Sequence, residues 1–455
     1  MADPTFSPTD PTRPADSNGA IEGAPAADPA GAPEPGGADL GRRRFFRQFA
    51  GELANTAATV VGAAQALQRT SAELAGAILD PTRVDVDGSA GVAPAVESAA
   101  PSAFRTAFRI DGDTIRFVDQ RALPRAVVEH AAISAAEVSF AIRNGVVLGG
   151  PAMGQAAVYG LALSAARVRN TKPYARRATL RGAANALVNA APGYASLKSA
   201  VDRSMAAYAE VGELDEDGTR ISDAMLAEAE RIVADATADH GRLVDVGLDA
   251  VQALPGIADQ PLRLLVHGQA GTLAGGQFGT ALAIVIAAHH AGREIRVIVP
   301  EARPGFDGAR VTCWELAGAG VPYLLVADAA APSLIAAGEV DAVLVAADTV
   351  AANGDLGAAV GTYPIAAVAA RHGVPLFACA PASAIDFTMP DGATIDPGRR
   401  PAELLDHVGQ LALTPPGTEV RVPAHDVTPA GLVTAFVTGD GLRQPPFAGD
   451  SEPEV

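Results

Sequence analysis

The chain predicts an α/β protein in which a parallel-sheet domain follows a smaller, mostly helical domain with a β-hairpin at its N-terminal end. After Pro255, short apolar runs alternate with helical stretches, the rhythm of a parallel sheet covered on both faces. From Ser134 to about Leu254 the pattern is helical, interrupted at Gly149-Gly150-Pro151 and with ends marked by Pro173 and Pro192. Ahead of both, Phe108 to Val118 reads as two strands around an Asp111-Gly112 turn.

In chain order, residues 1–40 are mostly Pro, Ala, Gly and Asp without apolar periodicity, a composition that predicts a disordered tail. Residues 41–80 predict an amphipathic helix, with Leu53, Val60, Leu67 and Leu74 at heptad spacing. Arg42 to Arg47 ahead of this stripe leaves three readings open: an assembly or surface helix, attachment to a membrane surface, or a twin-arginine export signal. Glu52, Asn55 and Gln65 interrupt the apolar core that export would need, which favours the first. A Pro/Ala/Gly linker covers 81–103, and the helical domain spans 104–255. In the sheet domain, 256–445, strands are expected at Leu262 to Val266, Ile295 to Val299, Tyr323 to Val326, Ala342 to Ala347 and Pro375 to Cys379. Helices are expected to begin near Phe278, Gly308, Ala331 and Gly361, and 446–455 is a second tail. Ligands of such sheets sit beyond the carboxyl ends of the strands, where Gly268, Pro300, Asp328 and Asp348 fall.

The 34 basic and 52 acidic side chains leave a formal charge of −18, which repels nucleic acid and argues against binding it. No apolar run reaches the ~20 residues of a membrane span. Cys313 and Cys379 offer neither a disulfide framework nor a metal-ligand spacing, and they suit a reducing cytoplasm. His289 and His290, adjacent on a helix, diverge by about 100° and do not share a metal. No metal or cofactor is expected.

Several collinear motifs narrow the reading: Asp119-Gln120-Arg121-Ala122-Leu123-Pro124, Val266-His267-Gly268-Gln269-Ala270-Gly271, Gly308-Ala309-Arg310, Asn353-Gly354-Asp355, Gly361-Thr362-Tyr363 and Asp426-Val427-Thr428-Pro429. From Phe104 to Arg443 the chain resembles the methylthioribose-1-phosphate isomerase family, a relative of the regulatory subunits of translation initiation factor 2B. The resemblance implies a Rossmann-like sheet domain, a homodimer paired through it, and metal-free aldose–ketose isomerisation of a sugar 1-phosphate in methionine salvage. It makes Asp348 the catalytic carboxylate. It also implies a cleft drawn from Gly149, Gly150, Gly268, Gln269, Gly271, Asp307, Asn353 and Asp355, which take the family's ligand-binding positions.

The chain departs from the family at those positions. Gly268 stands where the family has its catalytic cysteine, and Gln269 where it has asparagine. Leu148, Ala191, Thr349 and Ala359 replace cationic residues of the phosphate site, while Asp307 replaces a glutamine and His425 an aromatic residue. Charge-assisted hydrogen bonds to phosphate contribute roughly 1.5–3 kcal/mol each, so the set predicts lost or altered activity. Two readings stay open. One is a divergent isomerase for a sugar-like ligand, using Asp348 with Gln269, His425 or water. The other is a non-catalytic binding or regulatory subunit, possibly in a hetero-oligomer with a paralogue that keeps the thiol. The backbone amides after Gly271 offer a further place for an anion.

Overall fold

The computed structural model describes residues 106–255, 260–276, 279–408 and 410–447. The expected tail 1–40, helix 41–80 and linker 81–103 lie outside the described residues, as do 448–455 of the second tail. No described helix is long and apolar enough to cross a membrane.

The helical domain opens on a three-stranded antiparallel sheet, β1 (Phe108–Asp111), β2 (Thr114–Val118) and β3 (Glu129–Ala132). Gly112, at φ +61°, makes the tight turn that pairs Asp111 with Thr114 and Phe108 with Phe117. Helices α1 (Ala135–Arg143), α2 (Gly150–Val168), α3 (Pro173–Val188), α4 (Ala195–Val211) and α5 (Gly218–Gln252) follow. Ser134 caps α1 by accepting from the Glu137 N–H, and Asp217 caps α5 by accepting from Thr219 and Arg220. Apolar and small nearly all round, α2 is the central helix and packs against the other four. Its glycines let neighbours approach: a Cβ on Gly160 would lie 2.9 Å from Val138, and one on Gly154 2.7 Å from the Ser196 carbonyl.

The 35-residue α5 runs about 50 Å. It packs on α2 and α4, and its last turns bury Leu243, Val244, Leu248 and Val251 in the core beneath the sheet. One rigid rod thus belongs to both cores, and the change of rhythm at Pro255 marks the end of a helix that already lies under the sheet.

The main sheet contains β4 (Leu262–His267), β5 (Ile295–Pro300), β6 (Tyr323–Val326), β7 (Ala342–Ala346) and β10 (Leu376–Cys379), joined by β15 (Ala435–Thr438) and β16 (Gly441–Arg443). The order is β16-β15-β10-β7-β4-β5-β6, parallel except for β16. Helices α6 (Thr272–Gly275), α7 (Ala281–His290), α8 (Cys313–Ala319), α9 (Ala331–Ala336) and α10 (Thr362–His372) connect the strands. The helix expected near Phe278 starts at Ala281, and a π turn at Gly308–Thr312 leads into α8. One core lies under α5 and α7, the other under α9 and α10.

A second, four-stranded sheet has the order β11-β8-β9-β14, formed by β8 (Thr349–Ala351), β9 (Leu356–Ala359), β11 (Ile385–Asp386) and β14 (His425–Thr428). Beyond it, α11 (Glu403–Asp406) leads into a small hairpin of β12 (His407–Val408) and β13 (Leu411–Ala412).

Arg176 of α3 is fully buried, and its guanidinium donates to the carbonyls of Arg169, Thr171 and Asp215, tying the loop between α2 and α3 to the loop between α4 and α5. Replacing it with methionine keeps the volume and orphans these carbonyls. Arg176→Met is expected to lower stability by about 2–4 kcal/mol in urea unfolding; a change within error would show that water satisfies them.

Candidate functional site

Every parallel strand delivers its carboxyl end to one edge, and the helical domain sits above it. The loop after β4 starts at Gly268, whose φ of +88° suits glycine. A Cβ there would meet the methyls of Ala346 and Ala359 at 3.6 and 3.7 Å and the Ala346 backbone nitrogen at 3.8 Å, all ordinary contacts. Space for a side chain exists, and its walls are alanine. The loop ends at α6, where Glu315 accepts from Thr272 N (2.7 Å), Thr272 Oγ1 (2.7 Å) and Leu273 N (3.3 Å). Burial pushes the Glu315 carboxyl up, against these three donors.

Asp348 follows β7 and is buried. Its Oδ2 lies 3.3 Å from His425 Nε2, within ion-pairing distance, although neither imidazole nitrogen has a well-aligned hydrogen-bond partner. The edge of the Tyr194 ring meets the imidazole at 4.6 Å between centroids. Burial, reinforced by the Asp348 charge, pushes the Tyr194 phenol up. Thr349 positions Tyr194 from below: its hydroxyl donates to the Gly193 carbonyl and accepts from Ala195 N, which also reaches the Asp348 carbonyl. Thr349 is therefore a clasp between the domains.

Across the cleft, Asp307 Oδ2 accepts from Gln269 Nε2 at 3.1 Å and from Arg400 Nη1 at 3.2 Å. Gln269 Oε1 is buried without a partner. Ala302 and Phe306, both at positive φ, carry the intervening loop, which Asp328 holds by accepting from Ala302 N and Arg303 N. A cavity of only about 30 Å³ touches Gly268, Gln269, Asp307, Asp348, Tyr194 and Arg400. Tyr194, Asp307 and Arg400 also line a larger recess of about 370 Å³ toward the helical domain.

The structure thus brings together Gly268, Gln269, Asp307 and Asp348, and it places the other expected ligand residues elsewhere. The amides after Gly271 already hold Glu315, so that helix end is not open to an external anion. A Cβ on Gly271 would strike this carboxylate at 1.8 Å. Asn353 and Asp355 bond each other, and Asp355 also accepts from Gly392 N and Ala430 N, pinning two loops. Burial pushes the Asp355 carboxyl up, but these donors outweigh it and hold it low. Gly149, at φ +97°, lies against Ala274, where a Cβ would come within 2.4 Å, and Gly150 packs on Tyr194 and Ser196. Both serve close packing beside the cleft.

Tyr194, Arg143, Arg399 and Arg400 escaped sequence reasoning. The Pro192-Gly193-Tyr194 turn was the available signal for the first, and the adjacent Arg399-Arg400 pair for the last two. Among the described residues no group of three side chains is arranged to hold a metal. Cys313 and Cys379 are buried; burial pushes the Cys313 thiol up to about 11 and raises that of Cys379 further.

A doubly covered parallel sheet whose carboxyl edge forms a cleft beneath a helical domain defines the class: an α/β protein with a cleft at the carboxyl edge of its sheet. The model of the "Initiation factor 2 subunit family" matches residues 146–445. Methylthioribose-1-phosphate isomerase of Syntrophotalea carbinolica is 38% identical over 72% of this chain and 93% of its own length. That of Albidiferax ferrireducens is 39% identical over 73% and 91%. The crystal structure of 5-methylthioribose 1-phosphate isomerase from Pyrococcus horikoshii OT3 superposes with a TM-score of 0.63 at 31% identity, covering 76% of this chain and 94% of that one. Translation initiation factor eIF-2B, subunit delta, from A. fulgidus gives 0.61 at 29% identity, covering 76% and 97%. The chain belongs to the initiation factor 2 subunit family, on its methylthioribose-1-phosphate isomerase side.

The raised Glu315 carboxyl has a thermodynamic consequence. Because its folded pKa lies above the ordinary carboxyl value, its stabilising contribution is complete below that ordinary value and is lost as pH rises through the folded one. Relative to Glu315→Gln, which keeps an acceptor oxygen, the native chain should lose stability as pH climbs across this window in urea titrations. The opposite slope would show that the amide donors outweigh burial.

Proposed function

We propose that this chain is an isomerase-family protein that has lost thiol-dependent isomerisation of methylthioribose 1-phosphate and keeps its cleft for another small ligand in the cytoplasm. The supporting observation is Gly268 facing Ala346 and Ala359. Aldose–ketose isomerisation takes a proton from one carbon and returns it to the next, and so needs two groups that hold and deliver protons. Asp348 supplies one. The position that would supply the other has no side chain, and both cysteines are buried as structural thiols. Phosphate would also meet Leu148 and Ala191 in the recess, and the Asp307 carboxylate beside Gln269.

A second reading, retained proton transfer on a different sugar-like substrate, is favoured by one observation: the buried Asp348–His425 contact. The imidazole stands behind the carboxylate and would act through it, as a positioning residue. The alternative of a regulatory subunit paired with a thiol-bearing paralogue draws on the same lost cations.

The purified chain is expected to turn over methylthioribose 1-phosphate below roughly 1 s⁻¹ in a proton-NMR assay. Turnover above that, abolished by Asp348→Asn, would overturn the reading. The proposal includes a homodimer through the sheet domain; light scattering at micromolar concentration should report twice the chain mass, and monomer alone would count against it.

A further inference from the structure

The recess of about 370 Å³ is of small-molecule size and is built unlike the rest of this acidic surface. Ile142, Leu148 and Met153 contribute apolar lining. Arg143, Arg399 and Arg400 also line it, with Asp307 the only carboxylate among its described lining residues. That carboxylate is already shared by Arg400 and Gln269. Arg143 and Arg399 have no side-chain partner among the described residues, and the buried Nε of Arg310, another lining residue, has none either. In a chain of net charge −18, cations gathered without counter-charges around a concavity are a standing attraction for an anion.

Two features select the anion. Phosphate favours the amides of a helix N-terminus, and here Glu315 fills those of α6. Leu148 and Ala191, at positions where the resemblance places phosphate-binding cations, make the wall apolar. A guanidinium fork matches the oxygens of a carboxylate as well as those of a phosphate, so the apolar wall decides, favouring a singly charged head group on a hydrocarbon body over a strongly hydrated dianion. We infer that the recess binds a small carboxylic acid, its carboxylate on Arg143 and Arg399 and its apolar body against Leu148 and Met153. This rests on the reading of the cleft as a ligand site that no longer serves a sugar phosphate.

The test is calorimetric titration of the full chain with hexanoate, hexyl phosphate and inorganic phosphate in parallel. Hexanoate should bind with sub-millimolar affinity, more tightly than hexyl phosphate, and inorganic phosphate should show no saturable heat. Arg143→Ala/Arg399→Ala should weaken hexanoate at least tenfold with an unchanged melting temperature, and Leu148→Asn should weaken it independently of charge. Absence of hexanoate binding, or equal affinity in the double variant, overturns the assignment. Tighter binding of hexyl phosphate overturns the choice of carboxylate. Because binding is read without turnover, these outcomes are separate from the isomerase assay, where activity on the sugar phosphate would instead sink the reading beneath it. If the double variant unfolds, Arg399→Gln alone, at an exposed side chain, carries the same comparison.

Discussion

Glu315 reaches from α8 to the amides that open α6, and much of the molecule takes its geometry from that contact. It fixes the far end of the loop that begins at Gly268. The carbonyls of Leu273 and Gly275, held in place by that short helix, accept from Gln120 and Gln155 of the helical domain. Gly149 then packs directly on Ala274. One carboxylate therefore seats one domain on the other, shapes the cleft between them and occupies an anion site that the loop would otherwise offer. A buried carboxyl is unfavourable alone, and three converging donors stabilise it.

The cleft's electrostatics follow from what surrounds this seat. Asp307 and Arg400 satisfy each other, with Gln269 as a third partner, so the wall opposite Asp348 is a closed network with one unfilled acceptor. On the Asp348 side the partners are an imidazole and a phenol, held by a small sheet and by the Thr349 clasp. On the side toward the helical domain, Arg143 and Arg399 line the neighbouring recess.

Most elements of the main sheet were legible because β4, β5, β6, β7 and β10 are short runs dominated by apolar residues between helical stretches, even though Arg263 and Arg296 interrupt β4 and β5 and the edge strand β6 is largely exposed. The four-stranded sheet was not, since Thr349–Ala351, Leu356–Ala359 and Ile385–Asp386 are too short for any period to show. At the site, the position of Asp348 beyond β7 was readable from strand direction alone. Asn353-Gly354-Asp355 looked like part of the same cleft, but its carboxylate is spent on Gly392 and Ala430. Tyr194 meets His425, beside Asp348, only because the helical domain folds back over the sheet.

By itself the sequence determined the main run of helices and sheet strands, the family, and which residue stands at each motif position, Gly268 and Leu148 among them, because each is written in local periodicity or in residue identity at a motif. Which groups meet was decided only by the tertiary structure. Gln269 finds Asp307, and Arg400 finds it from 93 positions away. His425 stands behind Asp348 across a sheet whose strands are too short to announce themselves. Such contacts depend on the docking of two cores that share α5, and the packing of separate segments leaves no period in the chain.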